Sequence, residues 1–341
     1  MVSGADELAR WGFGDRWAAL AAATPDARPG RVVRCDGASL LVATADDVAH
    51  HHRRSEVADV AVGDWVLIDG DDVVTEVLPR ASLLRRRDPG GGDQPLAANV
   101  DVVGIVCGLD RPVRIGRVRR TVALAWDAEA SPLVVLTKTD LADPAEAMAA
   151  IEADDPMLDV VAVSAHTGAG VDALRERLGD GTVVLLGESG AGKSTLANAL
   201  AGEDVAATGD VREGDRKGRH VTATRMLHPL PGGGCLIDMP GIREVGLWTE
   251  AATIDAGFDD IERLAEGCRF RDCRHDTEPG CAVRAAVDDG TLAADRFESW
   301  EELRAEAEAA ELRADKAARR RADRRFGRMV RQVKRDKPPK R

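Results

Sequence analysis

Ahead of residue 85, apolar positions come in short alternating runs: Arg31–Cys35, Ser39–Ala43, Asp64–Ile68 and Val73–Leu78. Turn signals such as Asp36-Gly37 and Asp69-Gly70 separate them, which predicts four or five short strands closing into a small barrel. The OB-fold is the commonest such barrel that binds nucleic acid. The strands alone fit a plain β adaptor equally well. His50–His52 with Arg53 and Arg54 reads as a solvated loop, and Arg85–Gln94 as a polar, glycine-rich linker. From residue 98 the texture changes. The apolar, β-branched runs Val100–Cys107, Leu133–Leu136, Val160–Val163, Val183–Leu186 and Cys235–Asp238 alternate with helix-like Ile115–Trp126, Pro144–Ala153 and Val171–Leu178. That alternation predicts a parallel α/β sheet covered on both faces. The expected division is an extension (1–30), an OB-fold barrel (31–84), a linker (85–97), the sheet domain (98–250), a Cys/His module (251–300) and a basic helical tail (301–341).

Charge changes the picture at the tail. The chain has 341 residues and a formal net charge of −12. Leu312–Arg341 holds 14 Lys and Arg against three Asp and Glu, leaving 33 against 56 elsewhere. An acidic body with a basic tail points the tail at polyanions. Phe326, Met329 and Val333 give that tail one apolar stripe. RNA binding through phosphates is the preferred reading; a solubilising tail is the alternative. No apolar run approaches the ~18–20 residues of a membrane span, and the N-terminus lacks an apolar signal core. A cytoplasmic protein with no membrane partner is expected.

Chemistry concentrates at the ends of the predicted strands, where ligands bind in this architecture. Gly187-Glu188-Ser189-Gly190-Ala191-Gly192-Lys193-Ser194-Thr195 is a phosphate loop. Its glycines let backbone N–H groups curl around an anion, Lys193 brings a cation to the outer phosphates, and Ser194 offers a hydroxyl to Mg²⁺. Thr137-Lys138-Thr139-Asp140 is close to the Asn-Lys-x-Asp signature of GTPases. Asp140 would accept the guanine N1–H and 2-amino protons, a donor pair that adenine lacks. Thr137 stands where Asn is usual, and its shorter side chain is expected to loosen the tie between loop and base. Ser164-Ala165 fits the dipeptide that places an N–H on the guanine carbonyl. Asp238-Met239-Pro240-Gly241 supplies an Mg²⁺ carboxylate in Asp238 and a γ-phosphate sensor in Gly241. In the charged stretch Lys217–Thr224, Thr222 is favoured over Thr224 as the switch hydroxyl on Mg²⁺. Downstream, Cys268, Cys273, His275 and Cys281 lie within fourteen residues. Three thiolates and one imidazole describe one structural Zn²⁺ per chain. That loop carries few apolar residues, so the metal is expected to supply its stability.

The motif order is rotated. GTPases commonly place the phosphate loop first and the base-reading segments last; here the base-reading segments come first. The same sheet results from joining the old ends at Leu178–Thr182 and cutting after Gly241. With Gly63-Asp64-Trp65-Val66, Ala97-Ala98-Asn99-Val100-Asp101 and Gly218-Arg219-His220, this chain resembles the ribosome small-subunit-dependent GTPase A (RsgA, YjeQ or YloQ) family over roughly residues 28–300. The resemblance implies GTP hydrolysis stimulated by the 30S subunit, a role in late subunit maturation and an OB-fold contacting 16S rRNA. It points to His220 for positioning the attacking water, since Ile242 occupies the place of the usual Gln. It also carries the same Cys-x4-Cys-x-His-x5-Cys pattern. A monomer binding GTP and GDP with Mg²⁺ is expected. An RNA-binding adaptor with a slow nucleotide switch and a phosphate-loop ATPase are the competing readings; Asp140 argues against the second.

Overall fold

The computed structural model describes residues 4–37, 39–87, 93–206, 225–239, 258–271 and 273–305. The chain divides into two compact units, Met1–Arg85 with Pro95–Val245, and Arg86–Gln94 with Gly246–Arg341.

The first unit opens with two short helices, α1 (Gly4–Ala9) and α2 (Asp15–Ala21), followed by a closed barrel. Its strands are β1 (Arg28–Asp36), β2 (Ser39–Ala43), β3 (Val48–Arg53), β4 (Trp65–Ile68) and β5 (Val73–Val77), in the order β1-β2-β3-β5-β4. β1 pairs with β2 through Arg31↔Ala43 and with β4 through Arg28↔Ile68, and a register shift between Val32 and Arg34 lets it serve both. The interior is Val32, Leu40, Val42, Val66, Ile68 and Val74. This is the predicted OB-fold, with two corrections. The His50–His52 run is not a loop: it lies in β3, where His51 is buried and its Nδ1–H donates to Asp72 O (3.0 Å) while its neighbours face outward. Strand alternation explains it, because the inward position carries an imidazole instead of an aliphatic group. The polar stretch after Leu84 is not wholly a linker either. Leu83–Arg87 (β6) and Asp93–Ala98 (β7) form a two-stranded sheet, with Leu84 and Leu96 buried.

The second sheet has six strands in the order β10-β9-β8-β11-β13-β12. They are β8 (Val102–Gly108), β9 (Ser131–Thr137), β10 (Val160–Ala162), β11 (Thr182–Gly187), β12 (Met226–Pro229) and β13 (Cys235–Asp238). All are parallel except β12, which runs antiparallel to β13. Helices α5 (Val171–Leu178) and α6 (Lys193–Ala201) bury Leu174, Leu178, Leu196 and Leu200 against Val106, Val135, Val183 and Leu236. Helix α3 (Ile115–Asp127) packs on β8, β9 and α4 (Ala145–Asp154). The join of the rotated order is the three-residue turn between α5 and β11, where Gly181 N–H donates to Leu178 O (3.1 Å). The β12–β13 turn presses against it so closely that a Cβ on Gly234 would lie 2.5 Å from Gly181 O.

In the second unit, helices Asp259–Ala265, Ala282–Asp288 and residues 294–305 enclose Phe258, Ile261, Val283, Phe297, Trp300 and Leu303. The rest of the predicted basic tail lies outside the described residues.

Candidate functional site

β11 delivers the phosphate loop. Its last residue, Gly187, has φ +149°, and a Cβ there would lie 2.3 Å from Val106 O on β8; only glycine fits. Gly192, at φ +91°, is the N-cap of α6 and supplies no side-chain acceptor. A helix N-terminus without a side-chain cap presents its first N–H groups to an anion. Lys193 folds its ammonium over the loop, donating to Gly187 O (2.7 Å) and Glu188 O (2.6 Å). Ser189, Gly190 and Thr195 are exposed, and Ser194 is half-buried beside Lys193.

Strand β9, separated from β11 by β8, brings the Thr137–Asp140 segment onto this loop. Thr137 is buried, and its hydroxyl donates to Ala191 O at 2.5 Å. The shorter side chain thus ties one loop directly to the other. Lys138, at φ +64°, donates to Gly190 O (2.6 Å) and pairs with Asp110 (2.9 Å). Thr139 N–H donates to Val163 O at the end of β10 (3.3 Å). Asp140 accepts from the Ser164 hydroxyl at 2.6 Å, and that bond holds its carboxyl below the usual carboxylate range. Ser164 itself is locked by Thr167 N–H on its Oγ (3.2 Å) and Gly168 N–H on its carbonyl (2.8 Å). Ala165 packs on the sheet's core. The Thr137–Asp140 segment and the phosphate loop, far apart in sequence, are thus joined by direct hydrogen bonds.

Asp238 ends β13, which β8 and β11 separate from β9. Burial pushes its carboxyl above the ordinary value, and Met239 N–H opposes this. A carboxylate so desolvated suits a cation beside it. His220, Thr222 and Gly241 lie outside the described residues. The sequence reading missed Asp110, Arg111 and Arg117. All three follow the end of β8, a strand-end position like that of the phosphate loop and Thr137–Asp140, but no recognisable motif marks them.

The second unit holds a separate centre. The ligand atoms of Cys268, Cys273, His275 and Cys281 lie within 4.8 Å of one another. Cys268 Sγ is 3.5 Å from His275 Nδ1 and 3.9 Å from Cys281 Sγ; His275 Nδ1 is 3.4 Å from Cys281 Sγ. A tetrahedron with metal bonds of about 2.0–2.3 Å has edges of roughly 3.4–3.8 Å, so the residues fit Zn²⁺. Sulfurs 3.9 Å apart are not a disulfide. Backbone N–H groups of Ala282 and Arg284 donate to Cys268 and Cys281 (3.4 Å each), which favours thiolates. His275, at φ +61°, is buried near Trp300, and Arg284 Nε donates to its carbonyl (2.7 Å). Cys281 caps helix Ala282–Asp288 and belongs to the unit's apolar core.

Comparison with known proteins finds relatives over most of the chain. The sequence model of the RsgA GTPase family matches residues 77–248. The small ribosomal subunit biogenesis GTPase RsgA of Streptomyces coelicolor is 43% identical over 92% of this chain and 90% of its own length. The small ribosomal subunit biogenesis GTPase RsgA 2 of Vibrio parahaemolyticus is 40% identical over 90% and 86%. Among solved structures, YjeQ from Thermotoga maritima superposes with a TM-score of 0.61 at 26% identity, covering 82% of this chain and 98% of that one. YloQ, described as a circularly permuted GTPase, shares the fold with a TM-score of 0.58 at 22% identity over 83% and 96%.

Proposed function

This chain belongs to the RsgA GTPase family, and on that premise we propose that it hydrolyses GTP on the 30S ribosomal subunit, which stimulates turnover during late subunit maturation. The observation that carries the reading is the joint between base loop and phosphate loop: Thr137 on Ala191, Lys138 on Gly190 and Asp140 held by Ser164. Asp140 receives the guanine N1–H and 2-amino protons, and the Lys138 stem lies along the base. Gly187–Thr195 cradles the phosphates. Ser194 and Asp238 would hold Mg²⁺ with Thr222, and the ion would draw charge from the β- and γ-phosphates. Gly241 senses the γ-phosphate. His220 positions the attacking water, and an imidazole can hold or accept its proton. The Cys268–Cys273–His275–Cys281 centre takes one structural zinc. The barrel and the basic tail meet 16S rRNA.

The test is GTP turnover with and without purified 30S subunits across a salt series. Stimulation that fades steeply with salt is expected, because phosphate contacts release counterions. GTP binding without any stimulation would make the chain an RNA-binding adaptor instead. His220→Ala is expected to keep GTP binding and lose stimulated turnover; full stimulated turnover in that variant removes the assigned role.

A further inference from the structure

Between the two nucleotide loops runs an array of charges that no motif marks. β8 ends at Gly108, and the chain turns back so tightly that a Cβ there would lie 2.6 Å from Asp110 Oδ1 and 3.3 Å from Ala191 Cα of the phosphate loop. The turn is fixed by Leu109 N–H donating to Thr137 O (3.0 Å). Asp110 is thereby set between two cations: its Oδ2 is 2.9 Å from Lys138 Nζ and 3.0 Å from Arg111 Nη2. Arg111 reaches on to Glu188 (3.7 Å), whose other oxygen meets Arg117 of α3 at 2.7 Å. The Arg111 guanidinium also overhangs the phosphate loop, 3.3 Å from where a Cβ on Gly190 would lie. The array therefore runs Arg117–Glu188–Arg111–Asp110–Lys138, from the first variable residue of the phosphate loop to the residue whose stem would flank the base.

We propose that Asp110 is a positioning residue for guanine-nucleotide binding, holding the Lys138 ammonium on the phosphate-loop carbonyl while Arg111 bridges it to Glu188. The proposal rests on the nucleotide reading above and deepens it. The physical need is plain. A lysine stem can flank a base only if its flexible four-carbon chain is held at the far end. Gly190 O accepts one ammonium proton, and Asp110 supplies the countercharge that fixes a second. Because Asp110 is about a quarter exposed, the array is screened by salt but not dissolved in it. Its carboxyl is held down at about 2, first by the Arg111 hydrogen bond and then by Lys138, so the array keeps its charge throughout the physiological pH range.

Holding Lys138 in place acts on bound nucleotide generally and not on the chemical step. Asp110→Asn, which keeps shape and removes charge, is expected to raise KM for GTP and Kd for GDP by roughly 10-fold, the scale of one charge-assisted hydrogen bond. The kcat at saturating GTP stays unchanged. The loss is equal for GDP and IDP, since the stem does not touch the 2-amino group. Arg111→Gln, at a half-exposed position, produces a smaller rise of about 3-fold. In a Lys138→Met background, Asp110→Asn adds less than about 2-fold, because the group it positions is gone. Thermal unfolding is followed for each variant, and Asp110→Glu, which retains the charge, recovers part of the affinity. Unchanged GDP affinity in Asp110→Asn, a fall in kcat with KM unmoved, or full additivity with Lys138→Met overturns the proposal. Lys193→Ala is run alongside: if it binds GDP like the parent chain, the nucleotide reading fails and takes this proposal with it. Loss in Lys193→Ala with none in Asp110→Asn rejects the positioning role alone.

Discussion

The nucleotide end of the sheet and the Cys/His centre both gather polar groups into a small volume, by opposite means. In the sheet, buried parallel strands fix where the loops emerge, and neutral hydrogen bonds such as Thr137 on Ala191 then close the gaps between loops. In the second unit the strands are replaced by short helices and a compact core of Phe258, Ile261, Val283, Phe297 and Trp300. Four ligand groups converge there, with no strand among the described residues 258–305 behind them. The difference teaches where each site's stability resides. A site built on a sheet exists before its ligand arrives, whereas a centre of three thiols and one imidazole gains much of its order from the metal.

The strongest way to break that contrast is to remove the metal. Zinc in isolated finger peptides binds with an apparent ~10–16 kcal/mol, so Cys268→Ser or a strong chelator is expected to open the second unit. Limited proteolysis within residues 258–305 should rise sharply as zinc falls from one per chain towards none. GDP affinity, held by the sheet, should stay within about 2-fold of its starting value. A parallel collapse of GDP binding would show that the two sites are not separately supported.

The complementary cut is made in the first unit. Arg31 of β1 is fully buried, donates to Thr182 Oγ1 at the start of β11 (2.8 Å) and to Trp11 O, and lies 5.3 Å over the Trp65 ring. It ties the N-terminal segment and barrel to the base of the sheet, at the end of β11 opposite the phosphate loop. Arg31→Ala empties a large side-chain volume and strands these acceptors, for which about 3–5 kcal/mol is the usual scale. A drop in Tm on the order of 10 °C by calorimetry is expected, with KM for GTP little changed. A large rise in KM with an unaltered Tm would mean that Arg31 serves the nucleotide and not the fold.

What could be read from the sequence follows the same division. The phosphate loop was legible because its chemistry demands glycine at fixed places: Gly187 and Gly192 adopt backbone angles that other residues resist. The Cys/His set was legible from ligand type and spacing. β3 was not, because its one buried side chain is His51, and a buried imidazole looks polar to any pattern count. β6 and β7 were hidden by the charged and glycine-rich residues between Leu84 and Leu96, although those two leucines mark the pair's buried side. Asp110 and Arg111 have no signature at all. Their role depends on Lys138, which is distant in sequence and becomes a neighbour only when β8 and β9 pair.

A finer test sharpens the contrast at a single hydroxyl. Thr137→Val keeps the branched shape of a buried side chain but removes the donor to Ala191 O. That carbonyl is then left short of its partner, a cost of about 1–3 kcal/mol if it stays buried and less if water reaches it from the exposed Gly190 side. Because Lys138 on Gly190 still spans the same two loops, the joint is weakened and not severed. GDP affinity should fall by roughly 3- to 10-fold, and its dissociation rate should rise by the same factor while association is unchanged. Thr137→Asn supplies a donor of greater reach and should bind at least as tightly as the parent chain. If valine is neutral, the hydroxyl contributes packing and no tie, and the rigidity of the sheet-borne site rests on Lys138 and its partners alone.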